Sequence, residues 1–345
     1  MNYLLYIGIH SQDEKGGIDL WNFNSGTNTL VPCKHLNSVK NISYMCLSSD
    51  NQYLFVASEQ SGEGYITVFH IQFGIKDLTE VVKFSYKQCS FSHLQINLTG
   101  NLLFASCYGT GEVLVLQFDS FNQTLRLIDK LIFTGSGPNL ERQLSSHPHS
   151  VYFSPRQNIA VVSDLGSDAV NILSIDCQTV RVANQWQSYP GSGPRHFAFH
   201  PNGQWAYLLT ELSSEIIAFH YTGAEFDPIQ RISVVPSGYC GDNLSADILV
   251  SKDGTKLYAS NRGSNNIACY SIDADGYLCL DQYIPTRGWA RALYLSNHDE
   301  FLFVLNEEFS DSKGEIEIFP LKQGVPQSNG IVRSCPFAYT FCAME

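Results

Sequence analysis

The feature that most limits what this chain can fold into is a pattern that recurs at intervals of 45 to 56 residues. Each copy holds a strand-like run, a polar turn, a second run like LYAS, a polar loop, and a third run like IACYSID. The clearest copies are HSVYFSPRQNIAVVSDLGSDAVNILSID from His149, HFAFHPNGQWAYLLTELSSEIIAFHY from His196 and DILVSKDGTKLYASNRGSNNIACYSID from Asp247. Fainter ones start at Tyr44, His93 and Ala292. Short apolar runs separated by turn residues, with no long 3.6-residue periodicity, predict strands throughout. A four-stranded repeat of this length is a propeller blade.

Six copies leave one blade missing, and the two ends of the chain supply it. NYLLYIGIH and GGIDLWNFN match the second and third strands of the pattern with no first strand ahead of them. CPFAYTF resembles SHPHSVYF and starts its strand at Phe337, 45 residues after Ala292. The expected fold is all-β: a seven-bladed β-propeller over residues 1–345 as one domain, its ring closed by pairing of C-terminal and N-terminal strands. Closure removes the free edges of an open array. The longest interval, 56 residues from His93 to His149, arises because GSGPNLERQLSSHPHS is roughly ten residues longer than GSGPRH in the repeat alignment. Such insertions sit in loops, often on a functional face.

Charge and cysteine usage narrow the function classes. The chain carries 33 acidic against 21 basic residues, a net charge of -12, with no basic run, which argues against nucleic acid as a partner. It has no run of 18 apolar residues to span a membrane and no signal-peptide pattern, so a cytoplasmic location is expected. The ten cysteines are scattered singly without a CxxC pair, which predicts buried, unpaired thiols in a reducing compartment. No metal and no cofactor are expected, because no convergent His/Cys pattern or phosphate-binding loop is present; the GSGP turns are not followed by helices.

In a propeller the start of each first strand and the end of each second strand share one rim. The position before each repeat start holds Ser43, Ser92, Pro148, Arg195, Ala246, Arg291 and Pro336; the starts hold Tyr44, His93, His149, His196, Asp247, Ala292 and Phe337. The second strands end on His10, Glu59, Cys107, Asp164, Glu211, Asn261 and Asn306, with Arg262 next to Asn261. Purely structural columns would look alike in every blade, and these do not. They gather Arg195, Arg262 and Arg291 with histidine and carboxylates at one mouth, an anion-binding cup in an acidic protein. Asp164, His196, Asn261 and Arg291 are the expected substrate contacts. Asp and Asn in tight turns commonly bond their own backbone, so Asp164, Asp168 and Asn261 have a structural reading as well. His147 reads as a loop residue, and His200 as a turn residue on the far rim.

HPHSVYFSP with DLGSD, GSGPRHFAFHPNGQWAYLLTELSS and SADILVSKDGTKLYASNRGSNNIACYSID together resemble the lactonase family of seven-bladed propellers, which includes 6-phosphogluconolactonase and carboxy-cis,cis-muconate cyclase. The likeness is strongest over residues 145 to 273. It weakens in the last full blade, where GWARALYLS stands in place of a Pro-Arg pair. The resemblance implies a catalytic set of His149, Arg195, Glu211 and Arg262, all on the rim chosen by the repeat geometry. It implies hydrolysis of an anionic small-molecule lactone, with 6-phosphogluconolactone the leading substrate. In that scheme His149 or Glu211 is the base, Arg195 stabilises the oxyanion and Arg262 clamps the substrate's anionic group. A muconate-type cycloisomerase would use the same four residues, and a non-catalytic binding scaffold is the third reading.

Overall fold

In a computed structural model, residues 1–72, 77–155, 158–176, 179–308, 314–328 and 330–344 are described. Among these residues the regular elements are strands, with no helix, and they form seven antiparallel sheets arranged as a seven-bladed propeller. The strands lining the channel are Ile42–Leu47, Phe91–Ile96, Pro148–Phe153, Pro194–Phe199, Leu244–Val250, Trp289–Leu295 and Ala338–Met344, and each touches the next around the ring. The second strands, such as Ile159–Asp164 and Leu102–Cys107, are buried along their whole length because both faces meet neighbouring blades. That explains their continuous apolar runs, where alternation would mark a half-exposed strand. The fourth strands, such as Thr179–Gln187, are largely exposed.

Seven apolar clusters fill the seven gaps between adjacent blades. The cluster between the last full blade and the composite blade contains Tyr3, Phe23, Phe303, Ile316 and Phe341. Its partner across the composite blade contains Tyr6, Leu20, Met45, Leu54 and Met344. Ring closure occurs as the repeat predicts: Ala338–Met344 pairs antiparallel with Asn2–Ile9, Tyr6 opposite Cys342 and Leu4 opposite Met344. The closing strand starts at Ala338 and not at Phe337. Pro336 has no N–H for a ladder and Phe337 turns into the left-handed region, with φ of 60°, before the chain enters the sheet.

A single device recurs at the mouth of the channel. Every inner strand opens on a register shift: between Ile42 and Tyr44, Phe91 and His93, Pro148 and Ser150, Pro194 and His196, Ser245 and Ile248, Ala290 and Ala292, and opposite Gly8/Ile9. A β-bulge leaves its extra residue outside the ladder and re-aims that side chain. The extra residues are Ser43, Ser92, His149, Arg195, Ala246 with Asp247, Arg291 and Tyr339. Two copies in the repeat alignment therefore shift. His149 stands with Arg195 and not with His196, because the shared histidine of HPHS and GPRH slides the copies by one; in the composite blade Tyr339 takes the place given to Pro336.

The cysteines also differ from the expectation of unpaired thiols. Cys89 and Cys107 form a disulfide across 18 residues of sequence, since Cys107 lies opposite Phe91 and the chain entering that strand passes beside it. Cys33, Cys46, Cys240, Cys269, Cys279, Cys335 and Cys342 are unpaired, and Cys177 lies outside the described residues.

If the terminal strand locks the ring, emptying its apolar contact should unlock it. Phe341→Ala is expected to lower unfolding free energy by about 3–5 kcal/mol, the range for a buried aromatic cut to alanine. Deletion of residues 335–345 should expose the strand Asn2–Ile9 and bring aggregation. Urea melts of both variants check this, and a midpoint equal to the parent's would count against a locking strand.

Candidate active site

The bulged residues converge on a cavity of about 420 Å³. Ser43, Ser92, His149, Arg195, Arg291 and Tyr339 line it from the inner strands, together with Tyr44, His196 and Asp247 one position further in. Glu211 and Arg262 enter from the ends of second strands, His10 from the composite blade, and Tyr108 and Arg142 from the loops beside them. The chain's net charge is -12, yet the lining holds four arginines against the two carboxylates of Glu211 and Asp247. Low-dielectric walls concentrate that local positive field on whatever enters.

Glu211 is the hub. Its Oε1 accepts from Arg142 Nη2 at 2.7 Å, and its Oε2 accepts from Arg195 Nε at 2.8 Å and forms an ion pair with Arg262 Nη2 at 3.1 Å, with His149 Nε2 4.0 Å away. Burial alone would raise its pKa, but Arg262, Arg195 and Arg142 outweigh that and hold the carboxyl down to about 2. The guanidinium groups are held from behind as well. Arg195 Nη1 donates to the Ala246 carbonyl, while Arg262 donates from Nε to Leu244 O at 3.2 Å and from Nη2 to Ser245 O at 3.4 Å. Burial, with Arg195 and Arg291 close by, lowers Arg262 to about 10, since Glu211 only partly compensates the crowding of positive charge. Arg291 pairs with Glu307 at 2.9 Å and lies 3.5 Å over the Tyr339 ring, a cation–π contact.

Two neutral imidazoles face this cluster, their ring centres 5.4 Å apart. Burial, then the charges of Arg195, His196, Arg291 and Arg262, push the His149 pKa well below the ordinary histidine value, and its Nδ1 has no hydrogen-bond partner. His196 is lowered to about 4 by burial and Arg195, against the opposing pull of Asp247, whose Oδ1 lies 2.8 Å from His196 Nδ1. The carboxylate can only accept, so that nitrogen carries the proton. Asp247 is fixed in turn by the N–H groups of Ile248 and Leu293.

The sequence-chosen residues thus divide. His149, Arg195, His196, Glu211, Arg262 and Arg291 all line the cavity, whereas Asp164 and Asn261 do not. Asp164 accepts from the N–H groups of His147, Gly166 and Ser167 and from Ser146 Oγ, which spends its oxygens on the turn. Asn261, fully buried, bonds Asn243, Ser245, Asn266 and the Val234 carbonyl. Both are scaffold residues, the outcome their turn chemistry allowed. His147 stacks on Tyr108 and bonds its carbonyl, and His200 bonds Gly254 O on a turn away from the cavity. Among the described residues no three His, Cys, Asp or Glu side chains gather in a metal-binding group.

Asp168 does more than close its own turn. Its Oδ1 accepts from Gln143 Nε2 and Gly193 N, both at 2.8 Å, and its Oδ2 accepts from Gly191 N at 2.7 Å. It therefore fastens the inserted loop to the GSGP loop that delivers Arg195. Gly193, with φ of +64° and the Leu212 side chain where a Cβ would stand, is required at this crossing. Arg142, Tyr108, Asp247 and Tyr339 were not among the sequence-chosen residues. Arg142 lies inside the insertion already marked by its length, Asp247 in a column already drawn up, and Tyr339 at a bulge that no sequence signal reveals.

A sequence model of the family described as "Lactonase, 7-bladed beta-propeller" matches residues 4–323. The chain belongs to this lactonase family. Among relatives of this lactonase-family propeller, a 6-phosphogluconolactonase of Bacillus subtilis is 28% identical over 336 residues, covering 94% of this chain and 96% of its own. A 6-phosphogluconolactonase of Formosa agariphila is 29% identical over 315 residues, covering 88% and 89%. The crystal structure of a protein from Lactobacillus plantarum superposes with a TM-score of 0.91 at 26% identity and covers 100% of both chains.

The charges in this lactonase-family site set the pH dependence of its stability. The folded pKa of Glu211, about 2, lies below its ordinary 4.5, and that of His196, about 4, lies below its ordinary 6.5. In both cases the unfolded chain binds protons first, so stability is full above pH 6.5 and declines as pH falls through the histidine and then the carboxylate range. Melting temperatures between pH 8 and pH 4 test this. Glu211→Gln should cost about 3–5 kcal/mol at pH 7, since it strands three guanidinium groups. A melting temperature within experimental error of the parent would remove Glu211 from its central place.

Proposed function

We propose that this protein hydrolyses a phosphorylated sugar-acid lactone, 6-phosphogluconolactone, to the open acid. The observation that carries the reading is a neutral imidazole, His149, set beside an excess of buried guanidinium charge in a cavity of small-molecule size. A lactone is an activated ester and needs only a base for water and a cation at the forming oxyanion. Glu211, held near 2 by its arginines, is too weak a base, so the role falls to His149. His149 takes a proton from water as the water oxygen bonds the lactone carbonyl carbon. Arg195, close to His149 and pinned by Glu211 and Ala246, neutralises the oxyanion. The ring C–O bond then breaks, and the departing alkoxide takes the proton back from the imidazolium. Arg262, tied to Glu211 and two backbone carbonyls, supports the reacting end of the site. The names of the relatives, 6-phosphogluconolactonases across nearly the whole chain, support the same substrate class.

A panel of 6-phosphogluconolactone, gluconolactone and a carboxymuconolactone, each corrected for spontaneous opening, tests the reading, with the phosphorylated lactone expected to lead. His149→Ala should lower kcat by about 10² to 10⁴, the span for losing a general base. Because the His149 pKa is depressed, the base form persists below pH 6.5, so kcat/KM should stay level from pH 8 to pH 6 and fall only in more acid solution. Turnover of the muconolactone alone would favour the cycloisomerase chemistry. Failure on all three lactones would leave a binding scaffold.

A further inference from the structure

The four cavity arginines are not equivalent. The Arg195 side chain is 3% exposed, Arg262 8% and Arg291 16%, and each is held by a carboxylate together with a backbone carbonyl or a stacked ring. The Arg142 side chain is 34% exposed, and its guanidinium hydrogen bonds to protein groups leave from Nη2, to Glu211 Oε1 at 2.7 Å and Tyr108 OH at 3.4 Å. A guanidinium has five N–H donors in a flat fork. The Nε and Nη1 donors of Arg142 are therefore turned to no protein group, and they belong to the most exposed of the four guanidinium groups, within reach of a ligand that already fills the floor of the cavity.

The loop that carries Arg142 is built to hold it still. Gln143, fully buried, donates to Leu165 O and Asp168 Oδ1 and accepts from Asn139 N. Asn139 Oδ1 caps the N–H groups of Glu141 and Arg142. A side chain that starts from a fixed backbone loses less freedom when it grips a ligand.

We propose that Arg142 is the specificity-determining residue of the site. It receives the substrate's remote phosphate, while His149, Arg195 and Arg262 act at the lactone carbonyl. The assignment rests on the lactonase reading above and deepens it. It moves the anion clamp from Arg262, a buried side chain whose Nε and Nη2 are turned to Glu211 and to backbone carbonyls, to a side chain at the rim. Arginine suits a phosphate through two parallel N–H donors, a contact that an uncharged lactone cannot make. A phosphate at this position also keeps Arg142 between two anions, the ligand and Glu211, so the contact with the carboxylate need not break.

The test is the ratio of kcat/KM for 6-phosphogluconolactone to that for gluconolactone. Arg142→Gln should lower this ratio tenfold or more, chiefly through KM for the phosphorylated lactone, and Arg142→Lys should retain part of it. Calorimetry gives a readout free of turnover: the parent should bind 6-phosphogluconate more tightly than gluconate, and Arg142→Gln should erase the difference. An equal fall for both lactones, with the ratio unmoved, would show a merely structural arginine and overturn the assignment while leaving the lactonase reading intact. A parent that opens neither lactone but binds 6-phosphogluconate through Arg142 would sink the lactonase reading and keep the clamp.

Discussion

The antiparallel pairing of the terminal strand with Asn2–Ile9 is the constraint on which the rest of the molecule depends. A row of blades without it would have two open edges and no fixed axis. With it, seven inner strands stand around one channel, and the side chains released by their bulges are aimed at a common volume. Burying Glu211 is tolerable only with cations brought beside it. A carboxylate taken out of water costs several kcal/mol unless it is well paired. The three guanidinium groups that pair it come from the inserted loop, from the bulge at Arg195, and from the second strand at Arg262, elements of neighbouring blades that the propeller brings to one channel mouth.

Much of this was legible in the chain, because repeats write the same physics several times. The apolar second strands, the polar turns and the composite last blade all follow from copies compared with one another. The site was legible to the degree that it departs from the copies: Arg195, Glu211 and Arg262 are conspicuous because most other blades hold something else there. What escaped was what repetition cannot encode. Asp164 and Asn261 have the same side-chain types whether they bind a ligand or cap a turn, and only their partners decide. Tyr339 and the one-residue slip at His149 depend on bulges, which change the register without changing the composition. Arg142 lies in the one segment that has no copy elsewhere, so no column could set it apart.

The cysteines show the same limit from another side. Spacing along the chain offers no reason to join Cys89 to Cys107, because their meeting is a consequence of strand pairing and not of any local motif. Beside them, Ser90, Phe91, Ser92 and Tyr108 enter the cavity wall, so this bond braces a part of the site that carries no charge.

The bulges have a consequence for how such a molecule can change. A residue outside the ladder contributes little to the pairing of its strand, so its side chain can be exchanged while the neighbouring rungs stay in register. Seven such positions ring one mouth, and at six of them Ser43, Ser92, His149, Arg195, Arg291 and Tyr339 already show four residue types. The scaffold thereby separates heritable shape from heritable chemistry. New catalytic repertoires can arise by substitution at this rosette alone, one blade at a time, with the interlocked aromatic layers between blades left untouched.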